Sequence, residues 1–190
     1  MRRNFFSEDF VRVISGSARG LKLSSPEGIN TRPTLDRVKE ALFSMLQTHL
    51  MDAVVLDLFS GSGALGLECL SRGANKAVFI DNSQEAIMCI KSNLSSAKLL
   101  DKSSVFKSDF CDYLKNCNEK FDLIFLDPPY SKNFYKTALD LICKKRLLNE
   151  DGFIIVEWDS EIGFQNEISD FEVYKEKCYG RANITVLKWG

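Results

Sequence analysis

From residue 53 to residue 157, short apolar runs alternate with stretches of helical spacing, and this alternation limits the fold more than any other feature. Runs at 53–58, 76–80, 105–107, 121–126 and 153–157 read as strands, and 64–72, 84–99, 112–116 and 135–145 as helices. Strands that are apolar on both faces must be covered on both, and strand–helix–strand order demands parallel pairing through crossovers. The expected architecture is an open α/β sheet. Near the end, 172–177 and 183–189 flank Tyr179-Gly180-Arg181 and predict an antiparallel hairpin at one sheet edge. Near the start, Val11–Ser15 and Gly20–Ser24 flank the turn-prone Gly16-Ser17-Ala18-Arg19, which predicts a β-hairpin. Pro26, Gly28 and Asn30 then mark a loop. Leu35, Val38, Leu42, Met45 and Leu46 recur at helical spacing, so an amphipathic helix is expected over 35–48, with Thr34 as N-cap and Asp36 in its first turn. With no repeat or linker, 190 residues are expected to form one domain, 1–190, with 1–48 an extension within it.

Composition narrows the function classes. Apolar residues at 45% and charged residues at 27% argue against disorder, and no apolar run reaches membrane-spanning length. Arg2-Arg3 faintly suggests an export signal, but Ser7-Glu8-Asp9 stands where an apolar core should begin, so a cytoplasmic protein is expected. The six cysteines form no C-x-x-C pair and read as reduced thiols. With His49 the only histidine, no metal site is expected. Net charge is only -1. Residues 10–39, however, carry Arg12, Arg19, Lys22, Arg32, Arg37 and Lys39 against Glu27 and Asp36, a local +4. A basic N-terminal segment on a mildly acidic body suits a phosphate-bearing partner gripped from one side; a merely solvated face is the plainer alternative.

After the first strand comes Asp57-Leu58-Phe59-Ser60-Gly61-Ser62-Gly63-Ala64-Leu65-Gly66. Gly61, Gly63 and Gly66 fit G-x-G-x-x-G at a helix start, and Asp81 follows Gly61 by twenty residues. This pattern serves dinucleotides as well as S-adenosylmethionine, because glycines let backbone approach a ligand, a helix N-terminus offers N–H groups, and an acid ending the second strand binds ribose hydroxyls. A tight structural turn is the third reading. Asp57 adds a carboxylate suited to an ammonium group, which a nicotinamide dinucleotide lacks. Asp109 ends the third strand, where it could accept from an adenine amine or simply cap a helix. Phe59, Asn82 and Phe110 flank these acids and complete the candidate cofactor set.

Seventy residues after Asp57, the run Phe121–Leu126 ends in Asp127-Pro128-Pro129-Tyr130. A nucleobase exocyclic amine is a poor nucleophile because its lone pair is delocalised into the ring. Two acceptors, the Asp127 carboxylate and the Pro128 carbonyl, could hold both N–H bonds and turn the lone pair toward an electrophile. The consecutive prolines fix the loop shape, and Tyr130 could stack on the base. The pairing of loop and tetrapeptide favours S-adenosylmethionine and transfer of its methyl group to a planar amine; an ordinary proline-rich strand exit is the alternative.

These motifs, together with Arg12-Val13-Ile14-Ser15-Gly16, Ala18-Arg19-Gly20, the run Arg32-Pro33-Thr34-Leu35-Asp36-Arg37-Val38-Lys39-Glu40-Ala41-Leu42-Phe43 and Tyr179-Gly180, closely resemble the RsmD family across about residues 11–190. Ser60 departs slightly, standing where the family often has alanine. The resemblance implies a Rossmann-like class I methyltransferase with a seven-stranded, mostly parallel sheet and a reversed last strand. It implies methylation of the 2-amino group of a guanine in bacterial 16S ribosomal RNA (guanine 966 type), on a partly assembled small subunit, by a monomer. Carried over, Gly61, Gly63, Asp81 and Asp109 would bind cofactor, and Asp127, Pro128 and Tyr130 would hold the guanine. Arg12, Arg19, Arg32 and Arg37, with Lys22 beside them, would meet RNA.

Three rivals stand beside this reading. A DNA adenine or cytosine amino-methyltransferase would share the D-P-P-Y, but it usually needs a separate target-recognition region, and only sixty residues follow Tyr130. An RNA-binding assembly factor without catalysis would not need Asp127 or Gly61. A nicotinamide oxidoreductase would need an acid/base residue, yet only His49 is available, at a helix end.

Overall fold

The computed structural model describes residues 11–26, 34–128, 132–161, 163–164 and 170–190, with backbone alone at 34–37 and 132–133. Within these, seven strands form one sheet: β1 (Val54–Asp57), β2 (Lys76–Asp81), β3 (Ser103–Lys107), β4 (Phe121–Leu126), β5 (Leu148–Asp159), β6 (Phe171–Tyr179) and β7 (Ala182–Trp189). Their order is β3-β2-β1-β4-β5-β7-β6. The first five strands pair in parallel, and β7 runs antiparallel to both β5 and β6. The expected seven-stranded, mostly parallel sheet with its reversed last strand is the sheet the chain forms.

The period of two along each strand assigns its side chains to two cores. Val55, Phe79, Phe125 and Ile155 point to one face, where they meet α1 (Thr34–Met45), α2 (Ala64–Ser71) and α3 (Gln84–Ala97) through Phe43, Leu67 and Ile90. Leu56, Val78, Ile124 and Val156 point to the other, against α4 (Phe110–Asn116) and α5 (Lys132–Lys145) through Leu114 and Ile142. Phe43, Phe79 and Phe125 are fully buried, each contributing about 1.5–3 kcal/mol by removal from water. The chain runs outward from β1 to β3 and returns to β4 on the other side of β1. The crevice thus opens beyond the carboxyl ends of β1 and β4, where such sheets place ligands.

Several boundaries differ from expectation. The N-terminal β-hairpin is reduced to a single antiparallel bridge, Arg12–Lys22, supported by Val13 N–H to Leu21 O and Leu23 N–H to Val11 O. The reason is that these backbones are held mainly by side chains of the helices beneath. Glu68 of α2 accepts from Ile14 N (2.7 Å) and Ser15 N (2.9 Å), Ser71 Oγ accepts from Ala18 N and donates to Ser15 O, and Asn93 of α3 accepts from Ser24 N. Residues 11–26 form a strap over α2 and α3. Helix α1 stops at Met45, and Gln47–His49 tightens into a 3-10 turn. Strand β5 begins five residues earlier than its apolar run, because Leu148 pairs with Phe121 ahead of an irregularity in register. Helix α4 begins earlier too, at Phe110, because Asp109 caps it. The Thr34 cap lies outside the described side chains.

Candidate active site

A cavity of about 510 Å³ lies at the crevice, within the range of small-molecule sites. Its floor follows from the pleat. Asp81, Asp127 and Glu157 each lie two residues beyond a side chain of the α1–α3 core, namely Phe79, Phe125 and Ile155. They therefore share that face. Asp57, two residues beyond Val55, shares it one step lower, level with Phe79 and Phe125. Four acids from four strands line one cavity.

The loop after β1 is organised as a ligand cradle. Gly61 and Gly63 have φ of 54° and 77°, a left-handed backbone that side chains resist, and a Cβ at Gly61 would meet nothing within 4 Å. Gly66 serves packing instead, since a Cβ there would lie 2.5 Å from the Phe79 ring. Ser60 Oγ donates to Asp57 O (2.7 Å) and accepts from Ile80 N (2.9 Å), tying the ends of β1 and β2 together. An alanine would leave both groups to find other partners. Asp81 accepts from Gly61 N and Ser83 N, both at 2.9 Å. Its oxygens keep further lone pairs for ribose hydroxyls. Asp57 is buried and accepts from Gly66 N at 3.0 Å. Burial raises its carboxyl to about 7 against that hydrogen bond, and the charges of Asp127 and Asp81 add to the rise. A bound cation would reverse this. Asp109 accepts from Cys111 N and Asp112 N as the N-cap of α4 while also lining the cavity.

The other end of the cavity holds Asp127 and Pro128. Asp127 presents much of its surface to the cavity, yet crowding protein atoms displace bulk water, and this desolvation raises its carboxyl to about 6. Glu157 stands on the neighbouring strand. Burial first, then the charge of Asp127, raises it to about 8. Three rings form one wall: Phe59 and Phe110 lie 5.0 Å apart, Phe110 and Phe134 5.3 Å, and Phe59 and Phe134 stack at 12° with centroids 6.3 Å apart. The opposite wall comes from the strap and α1, through Val11, Ser25, Pro26, Val38, Lys39 and Leu42. Lys39 Nζ donates to Arg12 O at 2.9 Å and lies 3.6 Å from buried Glu68.

The structure thus brings Asp57, Phe59, Gly61, Asp81, Asn82, Asp109, Phe110, Asp127 and Pro128 to one cavity, with Gly63 in the same loop as the N-cap of α2. Arg12, Arg19 and Lys22 are exposed on the strap. Arg37 falls in the first turn of α1, and Arg32, Pro129 and Tyr130 lie outside the described residues. His49 packs edge-on against Phe153 and does not line this cavity. Sequence reasoning missed Glu157, Phe134 and Asn93. The carboxylate of Glu157 at the end of an apolar strand, like Asp57 and Asp127 before it, was the signal that could have found it. Asn93 donates to Ser24 O and Ser62 O, joining strap to cofactor loop, and nothing in a helical asparagine advertises that. All six cysteines are free, and no cluster of metal-binding side chains occurs among the described residues.

Comparison with known proteins agrees with this geometry. Residues 11–188 match the family described as Conserved hypothetical protein 95. The chain is 39% identical over 181 residues to YlbH of Bacillus subtilis, covering 94% of this chain and 98% of that one. It is 37% identical over 154 residues to Ribosomal RNA small subunit methyltransferase D of Haemophilus influenzae, covering 80% of each. The solved structure of yhhF from Escherichia coli superposes with a TM-score of 0.87 at 30% identity, covering 95% of this chain and 98% of that one. Fold, crevice and sequence agree, and the chain belongs to the RsmD family of methyltransferases.

Proposed function

We propose that this protein uses S-adenosylmethionine to methylate the 2-amino group of a guanine in 16S ribosomal RNA, presented on a partly assembled small subunit. The observation that carries the reading is the acid row: carboxylates from β1, β2, β4 and β5 line one cavity at the topological switch. The residues fit the cofactor. Asp57 suits an ammonium group, Asp81 a ribose, and the space beside Gly61 admits a ligand where a Cβ would intrude. When bound, S-adenosylmethionine supplies a methyl group already activated by cationic sulfur, so the chain's task is to position the amine.

Asp127 and the Pro128 carbonyl accept the two amine hydrogens and hold the nitrogen lone pair toward the methyl. That nitrogen would take the methyl of bound S-adenosylmethionine, the electrons of the C–S bond staying on sulfur. One amine proton then passes to Asp127, whose raised pKa suits the acceptance, and on to water. The exposed Arg12, Arg19 and Lys22 stand on the strap that forms a wall of the same cavity, so phosphates gripped there would bring a base to Asp127. The names of the Haemophilus influenzae relative and of its Escherichia coli counterpart support ribosomal RNA of the small subunit as substrate.

Transfer of tritium from labelled cofactor tests this directly. Label should enter guanine of immature small subunits from cells lacking the enzyme, and enter naked ribosomal RNA less and DNA not at all. Label in DNA, or in no nucleic acid, would refute the reading.

A further inference from the structure

The acid row contains a member that cofactor binding and amine orientation leave unused. Glu157 follows Val156, and Asp127 follows Leu126, which is the register partner of Val156 in the parallel β4–β5 pair. The two carboxyls are thus neighbours across adjacent strands, on one face, at the same height. Both line the cavity. Among the described residues no cation and no hydrogen-bond donor reaches either carboxyl, and Tyr135 Oη donates to the Glu157 backbone carbonyl at 2.9 Å.

Two uncompensated carboxyls side by side form a strained acceptor pair, and the pair is relieved by a ligand that brings donors to both. The amine edge of a guanine does so. Its exocyclic amine and the adjacent ring N1–H are two neighbouring donor groups, whereas adenine and cytosine place an acceptor beside their amine. We infer that Glu157 is a specificity-determining residue: it accepts the ring N1–H of the target guanine while Asp127 accepts an amine hydrogen. This inference rests on the guanine reading above and extends it to the recognition of the base. Burial and the charge of Asp127 keep a proton on Glu157 at neutral pH in the free protein. The incoming N1–H stabilises the ionised carboxyl, whose proton passes to water. A base with an acceptor at N1 is met only while Glu157 keeps its proton as a donor, so discrimination rises as the pH passes above the pKa of Glu157.

Small subunits reassembled around RNA carrying either guanine or 2-aminopurine at the mapped target test the inference. 2-Aminopurine keeps the 2-amino group but presents an acceptor at N1. At about pH 9, above the Glu157 value of about 8, wild type should methylate guanine at least about 100-fold faster than 2-aminopurine, as sites built for a donor reject analogues lacking it. The ratio should narrow as the pH falls and Glu157 gains a proton. Glu157→Ala should lose most activity on guanine, and the guanine to 2-aminopurine ratio should shrink at least tenfold. The isosteric Glu157→Gln, whose amide can donate to N1, should shrink it further by improving transfer to 2-aminopurine. Calorimetry should find S-adenosylhomocysteine affinity within a few fold for both variants. A role confined to folding would lower both substrates equally and leave the ratio alone. Transfer to guanine with an unchanged ratio in both variants would overturn the assignment of Glu157 by itself; transfer to an adenine or cytosine amine would overturn the guanine reading as well.

Discussion

Strand β4 carries an aspartate near each end, and the two are used in opposite ways. Asp122, second in the strand, accepts from Val54 N and from Asn149 Nδ2, both at 2.7 Å, so one carboxylate fastens β1, β4 and β5 together where the strands begin. Asp127, just past the other end, meets no donor among the described residues, sits across from Glu157, and is raised by desolvation to about 6. The same side chain, five residues apart, is a fastener at one end of the sheet and a held-open acceptor at the other. One carboxylate cross-links three strands where they begin, while at the other end Asp127 and its neighbour Glu157 remain available to a ligand.

The contrast can be broken by exchanging the expected phenotypes. Asp127→Ala should reduce methyl transfer on the order of a hundredfold or more, as loss of a preorganised polar group does, with S-adenosylhomocysteine affinity within a few fold by calorimetry. Near-normal turnover would remove Asp127 from the chemistry. Asp122→Ala should do the reverse: it strands a backbone N–H and costs about 2 kcal/mol, a fall in Tm of roughly 4–8 °C for a chain of this size. Its turnover per folded molecule should be near normal, and an unchanged Tm would deny the fastening role.

A smaller effect sharpens the comparison through protons. The Asp57 carboxyl stands at about 7 in the free protein, so below that pH it carries a proton that an ammonium-bearing ligand must expel. Affinity for S-adenosylhomocysteine should be level above pH 7 and fall toward tenfold per unit below it. Calorimetry in buffers of differing ionisation enthalpy should register the released proton. In Asp57→Asn affinity should be weak and largely independent of pH across this range, and an equally steep dependence there would assign the titration to another acid.

How far this was readable beforehand differs between the same two ends. The sheet announced itself because strands covered on both faces must be apolar throughout, and Val55, Leu56, Ile124 and Ile155 carry that signal without reference to anything distant. Asp57 and Asp127 were legible because each closes such a run ahead of a glycine or proline turn, and Asp81 because it closes the second run twenty residues after Gly61. Glu157 closes a run too, but its meaning depends on β5 pairing with β4, a contact between distant parts of the chain. The same dependence hid the true start of β5 at Leu148, where Asn149-Glu150-Asp151-Gly152 looks like a loop until Phe121 supplies a partner. The strap keeps the antiparallel turn that was expected, in reduced form, but its attachment through the side chains of Glu68, Ser71 and Asn93 was hidden, because no local pattern links those residues to 14–24.

The place of β7 has a bearing on how the molecule is made. It is the latest of the seven strands in the chain, yet it lies inside the sheet, between β5 and β6. While a nascent chain lacks it, β5 presents a bare edge containing Ile154, Ile155 and Val156, and β6 has no neighbour to bond. The hydrogen-bonding groups of both strands are then open to any other extended polypeptide. A chain released before β7 has been made would therefore be an adhesive species and not a slightly shortened enzyme, and insertion of β7 is the step that makes the sheet safe.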